Sequence, residues 1–144
     1  MKKLLLLSAL LIFACSSDDD SNDDNSNQTF LEKYNGVVWE ESDGSISTIT
    51  FFANPSAWRT SLDENFDGVY CSYYVFGDEN SDGYIEIIEM SEDEIILSYV
   101  DYYDFSTSNA TFNVENSGNT LRVTNNIDND ESYFYRTNLT NPCD

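Results

Sequence analysis

Residues 78–89 set oxygen donors at the spacing that hard cations use. Asp78, Asn80 and Asp82 alternate, Gly83 follows, and Glu89 stands at the twelfth place, matching the calcium loop D-x-[DN]-x-[DN]-G-x5-E. That loop needs a helix on either side. Here the flanking residues 70–76 and 85–90 are rich in β-branched and aromatic side chains and read as strands. Glu89 continues the alternation of Ile85 and Ile87, which puts it toward the core or at the strand end. Solvated acidic turns are therefore the expectation. Calcium on Asp78, Asn80 and Asp82 is the alternative, and no cofactor is required. A similar run at residues 63–68 has Tyr74 where the twelfth-place acid would stand.

The other chemistries lack their residues. The chain has no histidine, which removes Ser-His-Asp and Cys-His nucleophile pairs and the usual ligand for zinc, copper or haem. Beyond the first three residues Lys33 is the single lysine, and nothing marks it as a Schiff-base residue. Carboxylates abound, but no two stand out as a glycosidase pair. The reading is a protein that is not an enzyme. Aromatic side chains are the remaining candidates: Tyr70, Tyr73, Tyr74 and Phe76 on one strand, then Tyr99, Tyr102, Tyr103 and Phe105. Alternation sends Tyr73 to the face opposite Tyr70, Tyr74 and Phe76.

The elements that must position these groups are strands. Residues 45–52, 69–76, 84–90, 94–100, 110–114, 121–124 and 132–137 are the clear candidates, with 37–39 and 57–62 shorter ones. Asp43-Gly44, Asn54-Pro55, Asp67-Gly68, Asp82-Gly83, Ser117-Gly118-Asn119 and the run 125–130 supply turns between them. Strands about ten residues apart with tight turns predict an all-β, antiparallel meander of eight or nine strands, a small barrel or a β-sandwich. Residues 30–34 predict one helical turn ahead of the first strand.

The amino terminus carries an address. Met1-Lys2-Lys3 is basic, residues 4–14 are apolar and uncharged apart from a lone serine hydroxyl, and Ile12-Phe13-Ala14-Cys15 follows. Eleven residues are too few to span a bilayer, which takes about 20, and a basic head with an apolar run marks a secretory signal. With Cys after a small residue, the site resembles the lipobox of bacterial lipoproteins. That resemblance implies a signal peptide at residues 1–14, lipidation of Cys15 and a membrane partner through the lipid. The acids that follow, Asp18-Asp19-Asp20, resemble the tag that carries some lipoproteins of Gram-negative bacteria to the outer face of the outer membrane. Residues 15–29 hold almost nothing to bury and read as a disordered acidic tether, leaving residues 30–144 as one domain.

A formal charge of −21 argues against nucleic acid as a partner and leaves a cationic protein, a metal ion or plain solubility. Setting Cys15 aside, Cys71 and Cys143 form an even pair in an oxidising compartment. A bridge between them would pin the carboxyl-terminal tail across the domain; two free buried thiols are the alternative.

Gly36-Val37-Val38-Trp39 after a helical turn, the hairpin of residues 84–100 and the ending Tyr133-Phe134-Tyr135-Arg136 together resemble lipocalin-like domains of bacterial surface lipoproteins. The resemblance implies a barrel in which Arg136 of the last strand packs over Trp39 of the first and closes the floor. It also implies an interior that can hold a small apolar ligand, although a filled core is favoured in a domain of this size. The function expected is non-catalytic binding at the envelope. A small apolar ligand, a cationic protein partner and a calcium-stabilised structural role are the three forms it can take.

Overall fold

The computed structural model describes residues 28–42, 47–62, 69–79 and 83–144. The signal segment, Cys15, nearly all of the tether, Asn80 and Asp82 lie outside the described residues. The described chain is one short helix, α1 (Phe30–Lys33), and nine strands. These are β1 (Val38–Glu41), β2 (Thr48–Ala53), β3 (Ser56–Leu62), β4 (Tyr70–Val75), β5 (Gly83–Met90), β6 (Glu94–Asp101), β7 (Thr107–Glu115), β8 (Thr120–Asn125) and β9 (Glu131–Thr137).

All nine belong to one sheet in the order β4-β3-β2-β1-β9-β8-β7-β6-β5, and every neighbouring pair is antiparallel. The sheet curls until its edge strands meet: Gly77 N–H donates to the Ile85 carbonyl at 2.8 Å, and Glu79 bridges Tyr84. The result is a nearly closed barrel, compatible with the lipocalin-like expectation and not the sandwich. Closing the sheet leaves its edges little backbone to offer to another chain.

Helix α1 plugs one end. Thr29 caps it by accepting from the Glu32 amide, while the Glu32 carboxylate accepts from the Thr29 amide, a reciprocal capping box. Four residues would not hold a helix on propensity alone. Burial holds it: Phe30, Leu31 and Tyr34 are all sunk among the strands, each apolar side chain contributing roughly 1.5–3 kcal/mol. Phe30 meets the Phe51 ring edge-on at 5.1 Å, and Phe51 meets Phe112 across the barrel at 5.4 Å. Trp58 also reaches Phe112, at 5.4 Å. The barrel axis at this level is solid aromatic core.

Residues directly opposite in a ladder share a face, so inward positions follow from the register. Ile85, Ile87 and Met90 of β5 face Tyr99, Leu97 and Ile95 of β6. A bulge between Ile87 and Glu89 inserts Ile88, which is left half-exposed. The extra residue shifts the phase, so Met90 joins the core and Glu89 turns outward opposite Ile96. Of the two expected placements the inward one is thereby corrected: Glu89 is exposed, one residue from the end of β5. Strand β7 also starts three residues earlier than alternation indicated, because Thr107 continues the ladder opposite Val100.

The bridge between Cys71 and Cys143 is formed, 72 residues apart in sequence. It fixes the last residues as a strap over the outer face of β2, β3 and β4. Asn141 donates to Thr50 Oγ1 at 2.8 Å, and Arg59 pairs with the Asp144 carboxylate at 2.6 Å. Beneath the strap, outward residues Thr48, Thr50 and Ser61 are buried, and Thr48 and Ser61 share a hydrogen bond of 2.6 Å.

Candidate functional site

The plugged end has its own polar network. The Lys33 ammonium sits 2.6 Å from Glu92 and 2.9 Å from Asp93, in the turn between β5 and β6. Tyr34 donates to the same Asp93. Tyr34 and then Lys33 hold the Asp93 carboxyl below its ordinary range. Burial, followed by Asp93, pushes the Tyr34 phenol up to about 12. These contacts staple α1 to the barrel and leave no group poised for proton transfer.

Trp39 and Arg136 stand opposite each other in the β1–β9 ladder, so the two strands singled out by the resemblance are neighbours. Trp39 is fully buried, and its ring contacts are Tyr34 at 5.6 Å and Phe51 at 6.2 Å. Among the described residues the cations over rings are Lys33 over Tyr34 and Arg59 over Phe52. Tyr34 thus takes the place over Trp39 that the resemblance gave to Arg136. The exposed Arg136 guanidinium lies beside Gly118 instead, in a cleft of about 350 Å³ with Lys33, Tyr34 and Asp93.

The opposite end is built differently. Near α1 the inward residues are Phe51, Trp39, Phe112, Ile95, Leu121 and Phe134, all buried. Two residues along from Phe51, Ile95 and Leu121 the inward positions stay apolar, as Ile49, Leu97 and Val123; hydroxyls take inward positions at Thr60 on β3, Ser72 on β4, Ser108 on β7 and Ser132 on β9. Each of these is only half-buried. Tyr99 stands opposite Ser108 and Val123 opposite Ser132, and with Trp58 and Tyr74 they are partly buried and packed on the core. The Trp58 indole N–H is buried there with no hydrogen-bond partner. Half-buried hydroxyls and partly buried rings thus share the inward face of these strands.

Tyr74 and Phe76 pack on the core while Tyr73 faces out against Phe52 at 6.0 Å, so alternation separated the two sets and the structure decides which is inward. Asp78 is exposed; Asn80 and Asp82, its two candidate co-ligands, are not among the described residues.

The turn between β6 and β7 projects past the end of β8. Asp101 accepts from the Tyr103 amide at 2.6 Å and Asp104 from the Ser106 amide at 2.8 Å, and between these bonds Tyr103 and Phe105 stand in solvent. Beside the turn, Gly77, Glu79, Tyr84, Val100 and Tyr102 line an open cleft of about 560 Å³. Tyr102 donates to Glu79, and Tyr84 donates to Glu86 at 3.4 Å. Both phenols are pushed up, by desolvation first and then by these carboxylates.

The sequence held a signal for this side of the molecule. Between Arg59 and Arg122 there is no lysine or arginine, and fourteen acids fall in that span. Three of the four basic residues beyond the first three are paired: Lys33 as above, Arg59 with Asp144, and Arg122 with Glu115 and Glu131. Strands β5 and β6 consequently carry Glu86, Glu89, Glu94 and Asp101 with no lysine or arginine on either strand. Compared with protein-family models, curated proteins and solved structures, the chain matches none.

Proposed function

We propose that this chain is a non-catalytic binding protein of the cell envelope, held by a lipid on Cys15, that takes a small ligand in the barrel mouth. The observation that carries this reading is the change in inward side chains along the barrel. Aromatic residues fill the α1 end, while Thr60, Ser72, Ser108 and Ser132, half-buried, line the other. A ligand with a flat apolar body would lie on Trp58, Tyr74 and Tyr99 and meet hydroxyls at its edge, the mixture of apolar wall and sparse polar groups usual for small-molecule sites. The absence of histidine from the sequence and the lack of an isolated carboxylate pair support binding without catalysis.

The test is native mass spectrometry of the full chain after exposure to a bacterial envelope lipid extract. One organic adduct is expected, and Ser72→Phe, which fills the mouth, should abolish it. A bare mass for the parent chain, or an adduct indifferent to Ser72→Phe, would sink the proposal.

A second reading has its own observation. The acids of β5 and β6, with the exposed Tyr103 and Phe105 of the following turn, suit a cationic protein partner. Electrostatic steering to such a surface speeds association and fades with salt.

A further inference from the structure

A cleft separate from the mouth carries a distinct inference. We propose that Gly77, Glu79, Tyr84, Val100 and Tyr102 form a site for an organic cation, an alkylammonium or guanidinium group. The composition of the cleft is what such a group requires. Two phenol rings offer electron-rich faces, which attract cations. Val100 supplies an apolar wall for the alkyl stem. The Glu79 carboxylate, fixed by the Tyr102 hydroxyl, places full negative charge at the edge of the rings, and Glu86 adds a second charge beside Tyr84.

The surroundings reinforce the sign. No lysine or arginine of the chain falls between Arg59 and Arg122, and Lys33, Arg59 and Arg122 are already paired elsewhere. The carboxylates of the cleft therefore lack a cation of their own. Bulk cations such as sodium would be held only by charge. The rings and Val100 favour a cation with carbon attached, because a strongly hydrated ion gains nothing from an apolar wall.

The geometry of the sheet explains why these groups meet. Glu79 leaves β4, Tyr84 opens β5 and Tyr102 follows β6. The approach of the two sheet edges at Gly77 and Ile85 brings the three together. Gly83 reinforces that contact: a Cβ there would lie 2.4 Å from the Val100 carbonyl and 2.7 Å from the Tyr99 ring, so only glycine lets β5 lie this close to β6.

The same chemistry is available from a free polyamine or from a lysine or arginine side chain of another protein. The test is an NMR titration of the full chain in neutral detergent, following the Gly77 amide and the Val100 methyls. Spermidine, a lysine-rich peptide and an arginine-rich peptide are the probes, with sodium chloride at matched ionic strength as the control. Saturable shifts confined to the cleft are expected with at least one organic probe and not with sodium. Preference for spermidine would assign a free amine; preference for a peptide would assign a protein side chain. Tyr102→Leu and Glu79→Gln should each weaken binding roughly two- to five-fold, the range for one exposed cation–π or ion-pair contact. Glu131→Gln, which alters a Tyr133–Glu131 pair of the same residue types on an open strand face, should leave it unchanged. Shifts spread over all acidic residues and matched by sodium would overturn the site. Equal weakening by Glu131→Gln would overturn it too.

Discussion

Replacing both Cys71 and Cys143 by serine tests how the carboxyl-terminal strap is held. The bridge closes a loop of 72 residues, and chain-entropy reasoning values such a closure at about 4.4 kcal/mol at 25 °C. A domain of residues 30–144 has an unfolding entropy of roughly 0.24 kcal/mol/K. The double variant should therefore melt about 18 °C lower. The strap contacts themselves, Asn141 to Thr50 and Arg59 to Asp144, remain possible without the bridge, so the drop reports the unfolded chain more than the folded one. Calorimetry at neutral pH on the oxidised parent, the reduced parent and the double variant separates the terms. Reduced parent and double variant should agree within a few degrees. A double variant melting within about 5 °C of the oxidised parent would refute the reasoning, because the strap would then be held by its surface contacts alone. Limited proteolysis gives a second reading: the exposed Leu139 should become a cleavage point only once the bridge is gone.

Further outcomes follow from the plug and the turns. Phe30→Ala removes a fully buried ring that touches both Tyr34 and Phe51; it should cost about 3–5 kcal/mol in chemical denaturation, and a loss below 1 kcal/mol would mean that α1 is not the plug. Tyr34 has a folded pKa raised from 10.0 to about 12, so its contribution is complete below pH 10 and is lost as pH climbs from 10 to 12. Tyr34→Phe should accordingly lose less stability over that window than the parent, and parallel curves would exclude Tyr34 as the source. Asp93 has a lowered folded pKa, so its contribution holds above the ordinary carboxylate range and is lost as acid protonates it; Asp93→Asn should flatten the acid limb of the stability curve, read by urea melts at several pH values. For the acidic loop, millimolar calcium should leave the melting temperature unchanged. A rise of several degrees that disappears in Asp78→Asn would instead make the loop a metal site.

Much of the strand layout was readable because outer and inner positions alternate and tight turns punctuate them. The cysteine pair was readable from its parity. Four features were not. The bulge at Ile88 hides in a run, Ile87-Ile88, that satisfies either phase; the ladder to β6 decides it. Thr48, Thr50 and Ser61 look like solvent-facing sheet residues and would be, were a strap not lying over them whose Asn141 is 91 residues from Thr50 in sequence. The inward Thr60, Ser72, Ser108 and Ser132 resemble outward residues, since a hydroxyl suits a half-buried position on either face. The cleft of Glu79, Tyr84 and Tyr102 depends on two sheet edges meeting, which no local pattern encodes. The acid-only span from Arg59 to Arg122, by contrast, was visible in the sequence as charge asymmetry.

The plug also fixes which way the barrel points. The chain enters at Gln28 and Thr29, against the turn between β5 and β6, with Phe30 N–H on the Ser91 carbonyl. If Cys15 is the anchor, thirteen residues separate it from Thr29, a reach of at most about 45 Å. The barrel then hangs by its sealed end, like a cup held by its base. A ligand taken as proposed would then enter at the end away from the anchor.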